Sequence, residues 1–370
     1  MSTGTLLRPL ARESSGPAAR LRDNNFDALR VVFASMVVAF HMGLLSLAPG
    51  LAWMREYISA TFAVQAFFVV SGFLVVMSCE NSSSLRSYAL KRFRRIVPAY
   101  VTVVVAAAVL LSLQSTLPLR EYFGSPPWWR YLGYNLILSN FQAPTLPGVF
   151  QSNPEPAVNG SLWTIKVEVG FYIVVPLIVW CVRRFGYRTA LIALFCLSLA
   201  WRLGLEGLSS PDGLNLYARL AKQLPGQLCF FVGGAWAFYR AREGGRTYFL
   251  PAVAGVLAYN LLSGMAAIAI APLAVTAIVT WAALAAPRLP ALGRHGDFSY
   301  GIYLYHFPIV QTCIAAGLFA WSAGLAVGLI AVLVLACSVV SWFVIESPAL
   351  AGRSRHVAGP PTRPQSSCTS

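Results

Sequence analysis

A few ionisable residues sit inside otherwise apolar stretches: Asp27, Arg30 and His41 in one, Lys166 and Glu168 in a second, His306 in a third, Glu346 at the end of a fourth. Such groups are costly in a membrane, so each is a functional candidate. A histidine beside a carboxylate is a general base and the group that orients its imidazole. Counted from the start of its stretch, His41 lies ~22 Å in and Glu168 ~10 Å in. If the two stretches cross a ~30 Å hydrocarbon core in opposite directions, these depths nearly coincide. That predicts a His41–Glu168 pairing, with helix–helix hydrogen bonding as the alternative use of His41. Arg30 lies ~16 Å from His41 along the same helix. The run Lys91-Arg92-Phe93-Arg94-Arg95 offers planar guanidinium forks of the kind that grip phosphate; a plain membrane-edge anchor is the other use. Asp27 is expected on the Arg30 face.

Other polar positions are less specific. His306, within Tyr300-Gly-Ile-Tyr303-Leu-Tyr305-His306-Phe-Pro308, fits a polar lining or packing equally. Lys166 and Glu168, two apart, point to different helix faces, so no ion pair is expected. Glu346, before Pro348, reads as a cap or anchor. Phosphate-binding Gly loops and the G-x-S-x-G elbow are absent, and the scattered histidines give no metal site.

The elements that position these residues follow from composition. Of 370 residues, 57% are apolar and 11% charged, against ~25% charged in a soluble domain; mean hydropathy is +0.64. A soluble enzyme and a disordered chain are both excluded. The formal charge of +15 would suggest nucleic acid in a soluble protein. In a membrane protein it reflects Lys and Arg collecting in cytoplasmic loops, so the partner is the lipid bilayer and no nucleic acid is expected. The seven cysteines form no CxxC or Cys/His ligand spacing.

The expected fold is all-α: a polytopic membrane protein with about ten transmembrane helices, near 26–48, 57–79, 97–116, 161–182, 187–206, 223–239, 247–262, 265–286, 298–320 and 322–345. An apolar piece at 128–141 is short and begins with Trp128 and Trp129. Making it an eleventh span would move most later positive residues to the outside, so ten spans with both termini cytoplasmic agree better with the charge distribution. Residues 1–24 then form a polar cytoplasmic tail, 25–348 the membrane domain with a long outer loop at 117–160, and 349–370 a short cytoplasmic tail. The Pro/Gly-rich loop is long enough to be functional. It runs into the most polar span. No internal repeat of the transporter kind is visible.

These residues, taken in order, resemble the integral-membrane acyltransferases known as acyltransferase family three. The resemblance rests on Asn25-Phe26-Asp27-Ala28-Leu29-Arg30 followed by His41; Phe67-Phe-Val-Val-Ser71-Gly72-Phe73; Arg92-Phe-Arg-Arg95-Ile-Val-Pro98; Ser161-Leu-Trp163-Thr-Ile-Lys-Val-Glu168-Val-Gly-Phe171-Tyr172 with Pro176; the Ser299–Pro308 segment; and Glu346-Ser-Pro348. It implies a stand-alone enzyme of the bacterial inner (cytoplasmic) membrane, without an appended esterase-like domain. The implied donor is acyl-CoA, with acetyl-CoA the leading form, bound from the cytoplasm. The implied acceptor is a sugar or polysaccharide of the cell envelope, with envelope-synthesis partners where transfer is shared. His41 and Glu168 take the catalytic positions. Arg30, Arg92, Arg94 and Arg95 take the donor-binding ones. Asp27, Ser71, Trp163, Tyr172, Tyr303 and His306 are the expected substrate lining, and no metal is implied. Thr164, Lys166 and Gly170 depart from the family's usual residues and leave the acceptor open. N-acyl or succinyl transfer, acylation of a small metabolite, and transport without transferase activity remain the alternatives.

Overall fold

The computed structural model describes residues 24–209, 216–290 and 296–351. The polar tails expected at 1–24 and 349–370 fall almost entirely outside these residues. Every described element is a helix. The long ones are α1 (Phe26–Leu45), α2 (Ala60–Glu80), α3 (Leu85–Leu110), α4 (Trp163–Phe185), α5 (Tyr187–Gly207), α6 (Leu224–Arg242), α7 (Phe249–Leu261), α8 (Gly264–Leu284), α9 (Ser299–Ala315) and α10 (Ala323–Ser341). Each apolar stretch named from the sequence is therefore helical. Among the described residues, seven segments are long and apolar enough to cross a membrane: α1, α2, α5 and α8, and α3, α4 and α10 with their short extensions. Of the others, α7 has 13 residues and α9 has 17. The 19 residues of α6 include Gln227, Gly233 and Gly234, which dilute its hydropathy.

That dilution has a packing reason. α6 runs through the middle of the bundle and is buried along most of its length. A Cβ on Gly72 would lie 1.9 Å from the Phe231 carbonyl oxygen, and one on Gly234 would lie 1.9 Å from that of Val69. α2 and α6 thus meet backbone to backbone through small residues, the packing mode favoured where lipid supplies no hydrophobic drive between helices. Phe171 of α4 stacks on Phe231 at 4.5 Å, with Phe68 edge-on at 5.2 Å, closing the core around this crossing. On one flank α1 packs against α2 and α9, and α9 against α10.

Local signals set the helix ends. The Ser59 hydroxyl accepts from the Phe62 N–H and that of Ser84 from the Ser87 N–H, capping α2 and α3. Gly186, at φ +79°, separates α4 from α5; that left-handed region is open to glycine at no steric cost.

The short apolar piece in the outer loop is an 11-residue helix, Pro126–Leu136. At ~16 Å it is too short to span. Trp128 Nε1 and the Tyr122 hydroxyl both donate to the Ala108 carbonyl at 2.9 Å, tying the loop to the end of α3.

Two prolines inside helices decide how the site is assembled. Proline has no N–H, so it leaves the carbonyl four residues earlier without its helical donor. For Pro176 that carbonyl belongs to Tyr172, and the Tyr88 hydroxyl of α3 donates to it at 2.9 Å. For Pro308 it belongs to Leu304, and Asn159 Nδ2 of the outer loop donates to it at 2.9 Å. A carbonyl in a dry bundle must find such a partner. Each proline therefore creates a docking point for another segment.

Candidate active site

Two clusters of polar side chains lie inside the bundle. The first joins α1 and α9. His41 Nδ1 lies 2.9 Å from Nε2 of His306, and the rings are near-parallel at 24°. His306 is fully buried, and its Nδ1 lies 2.7 Å from the Tyr303 carbonyl oxygen. Phe307 meets the His41 ring edge-on at 5.1 Å. Gly160 of the outer loop lies against Phe307, because a Cβ there would come within 2.9 Å of it. The loop is stitched to α9 by further bonds: Asn153 Nδ2 to the Gln311 Oε1 at 3.0 Å, and Gln311 Nε2 to the Ala157 carbonyl at 2.8 Å.

The expected partner of His41 is not the one it bonds. Glu168 Oε1 instead accepts from the Tyr172 hydroxyl at 2.6 Å and from Ser71 at 3.5 Å. Matched depth placed His41 and Glu168 at one level. It could not tell which helix faces which, and α9 is the neighbour that His41 faces. Glu168 belongs to a cavity lined by Ser71, Thr164, Tyr172 and Tyr303, with Arg30 and Arg95 also in its wall. The Tyr303 hydroxyl shares a 2.6 Å hydrogen bond with Thr164 Oγ1. Lys166 makes no ion pair with Glu168; its ammonium lies over the Phe141 ring at 4.8 Å.

The second cluster is ionic. Arg30 and Arg95 both donate to Asp297 Oδ2, Arg95 at 2.5 Å. Arg95 also donates to Glu346 at 3.1 Å, and Ser341 to the other Glu346 oxygen at 3.2 Å. Glu346 is thus a buried counter-ion rather than a simple helix cap. Burial pushes the Asp297 carboxyl up, but Arg30, Arg95 and the Ser299 hydroxyl overcome this and hold it below the usual carboxylate range. Arg95 is shared: it lines the Glu168 cavity and also a second groove with Arg86, Lys91, Arg92 and Arg94. Arg92 has no carboxylate partner among the described residues. Its Nε is buried without an acceptor, and its guanidinium stacks over Tyr172 at 5.5 Å.

The structure thus gathers Ser71, Tyr172, Tyr303, Arg30 and Arg95 with Glu168 around one cavity, and leaves others aside. Asp27 is exposed on the first turn of α1, where a carboxylate complements the positive end of the helix; it does not face the Arg30 cluster. Trp163 is half-buried in the core packing, and neither His41 nor His306 is on the cavity wall. Sequence reasoning missed Asp297, Asn159 and Tyr88. Pro176 and Pro308 were visible signals for the last two, since each announces an unpaired carbonyl. Asp297 had a weaker one, an acid beside Ser299 on the side where arginines gather.

The sequence matches the family described as acyltransferase domain, Acyl_transf_3, over residues 23–343. The chain belongs to that family. It is therefore an acyltransferase, and its apolar helices make it a multi-pass membrane enzyme. Among its relatives, nodulation protein 10 of Rhizobium leguminosarum bv. viciae is 30% identical, covering 90% of this chain and 95% of its own length. The O-acetyl transferase of Shigella phage Sf6 is 26% identical, covering 88% and 95%. The peptidoglycan O-acetyltransferase OatA of Listeria monocytogenes serovar 1/2a is 24% identical over 77% of this chain and 49% of that protein. No solved structure matches the acyltransferase.

Proposed function

We propose that this acyltransferase moves an acyl group, in the first instance acetyl, from acyl-CoA on the cytoplasmic side to a hydroxyl of a cell-envelope saccharide. The observation that carries the reading is Arg95, which lines both the basic groove and the Glu168 cavity. Such a groove suits the phosphates of a CoA head, and Arg92 Nε, buried without an acceptor, fits an anion. The long arm of CoA would pass Arg95 into the cavity, toward the level of His41. The relatives named for O-acetyl transfer support oxygen as the accepting atom. The charge distribution supports ten spans with both termini cytoplasmic, and the family resemblance supports a bacterial inner-membrane location.

His41 acts as the base. It takes the acceptor's hydroxyl proton as the oxygen attacks the thioester carbonyl. The C–S bond then breaks, and the proton passes to the departing thiolate, giving ester and free CoA thiol. Glu168, bonded to Tyr172 and Ser71, supplies polar lining for the acceptor side.

The test uses the protein in nanodiscs with acetyl-CoA and a saccharide extract of the host envelope, read by thiol release and by mass spectrometry of the ester. Transfer is expected in the wild type, with a ~10²–10⁴-fold loss in His41→Ala. Wild-type transfer by a well-folded His41→Ala protein, or substrate flux with no CoA dependence, would overturn the reading.

A further inference from the structure

The contact between the two histidines also decides which nitrogen of His41 is basic. The argument starts at the Tyr303 carbonyl, which can only accept. His306 Nδ1, 2.7 Å away, must therefore carry a hydrogen and donate. A neutral imidazole has one N–H, so His306 Nε2 holds a lone pair. That lone pair lies 2.9 Å from His41 Nδ1, which must then be the donor. The remaining nitrogen, His41 Nε2, then holds the lone pair, and the Val37 carbonyl, one turn earlier on α1, also accepts from the single His41 N–H. The opposite assignment needs a doubly protonated His306. That charge would be fully buried, with the Tyr303 and Ile302 carbonyls and a second imidazole as its partners and no carboxylate bonded to it, a strongly disfavoured state.

We infer that His306 is a positioning residue for the reaction: it accepts from His41 Nδ1 and so presents His41 Nε2 as the base. The inference rests on the reading of His41 as the base proposed above. It gives the orienting role to an imidazole on α9, 265 positions away in sequence, instead of to Glu168. The neighbouring groups fit such a role. The Tyr303 carbonyl lies three positions earlier on the same helix, so the His306 ring is held by its own backbone. Phe307 closes another side of the His41 ring. In the reaction Nε2 takes the hydroxyl proton, Nδ1–H goes on donating to His306, and Nε2 returns the proton to the thiolate. His306 neither gains nor loses a proton.

The experiment compares His306→Leu, which removes the acceptor, with His306→Gln, whose amide oxygen can accept from His41 Nδ1. His41→Ala and the double variant His41→Ala/His306→Leu complete the set. The probe is acetyl-CoA with the envelope saccharide extract, and melting of each variant reports folding. We expect His306→Leu to lower kcat by ~10²-fold or more with KM for acetyl-CoA unchanged. His306→Gln should recover kcat to within about tenfold of wild type, as expected for a replaceable acceptor. The double variant should be no slower than His41→Ala, because the two residues act as one unit. A folded His306→Leu at the wild-type rate, with His41→Ala inactive, overturns the positioning role alone. So does a folded His306→Gln as slow as His306→Leu. If His41→Ala keeps the wild-type rate, the base reading fails and this inference fails with it.

Discussion

Arg95 donates to Asp297 at 2.5 Å, and the same carboxylate oxygen also takes Arg30. The two guanidinia that line the Glu168 cavity are therefore held together by one acid from the segment before α9. Glu346 holds Arg95 from the other side. Two largely shielded positive charges are tolerable next to two negative ones, of which Glu346 is fully buried, and neither pair stands alone.

Removing Asp297 should show what the cluster contributes. Asp297→Asn leaves Arg30 without its carboxylate and Arg95 with only one; breaking a fully buried pair costs on the order of 3–5 kcal/mol, and this partly exposed one should cost less than that limit. A clear drop in melting temperature is expected at neutral pH. The carboxyl is held below its ordinary value, so its contribution is full above the unfolded pKa near ~3.9 and fades as pH falls toward the lower folded value. The gap in melting temperature between wild type and Asp297→Asn should therefore narrow only below the usual aspartate range. Melting scans across pH check this, and a constant gap down to strong acid would refute it.

Arg92 differs from Arg95 in having no carboxylate partner among the described residues. Arg92→Ala is expected to raise KM for acetyl-CoA ~10-fold or more, with a small effect on melting. Arg92→Lys should recover little of it, since a point charge does not reproduce a planar fork. Steady-state kinetics with varied acetyl-CoA decides the matter; an unchanged KM removes Arg92 from donor binding.

The Asn159–Pro308 relationship predicts non-additivity. Asn159→Leu leaves the Leu304 carbonyl unpaired, at a cost of ~1–3 kcal/mol. In a Pro308→Ala background the helix supplies its own donor to that carbonyl, so Asn159→Leu should cost markedly less. The same cycle applies to Tyr88→Phe with Pro176→Ala. Equal costs in both backgrounds would show that the proline-freed carbonyls are not what these side chains serve.

The α2–α6 crossing leaves no room for a methyl group. Gly234→Ala forces a Cβ toward the Val69 carbonyl and is expected to destabilise by ~1–3 kcal/mol or prevent folding. Gly204→Ala, with open space around it on α5, should be neutral or slightly stabilising. Expression and melting of the two variants side by side make the comparison.

Much of this protein was legible before any coordinates. Apolar stretches of span length, interrupted by few charges, determined an all-helical membrane chain, because in a bilayer each segment must satisfy its own backbone. The same scarcity of charge singled out His41, Glu168, Arg30 and the Arg92–Arg95 run, since buried ionisable groups are expensive and therefore few. Rise per residue predicted nearly equal depths for His41 and Glu168. Depth, however, is a one-dimensional quantity along each helix. Which helix lies beside which, and through which face, depends on packing between segments far apart in sequence. The tertiary structure alone decided that His41 meets His306, that Asp297 joins Arg30 to Arg95, and that Asp27 turns outward. The physical reason is the α2–α6 contact through Gly72 and Gly234, together with the carbonyls freed by Pro176 and Pro308. They draw α3 and the outer loop onto particular faces of the helices that carry the site.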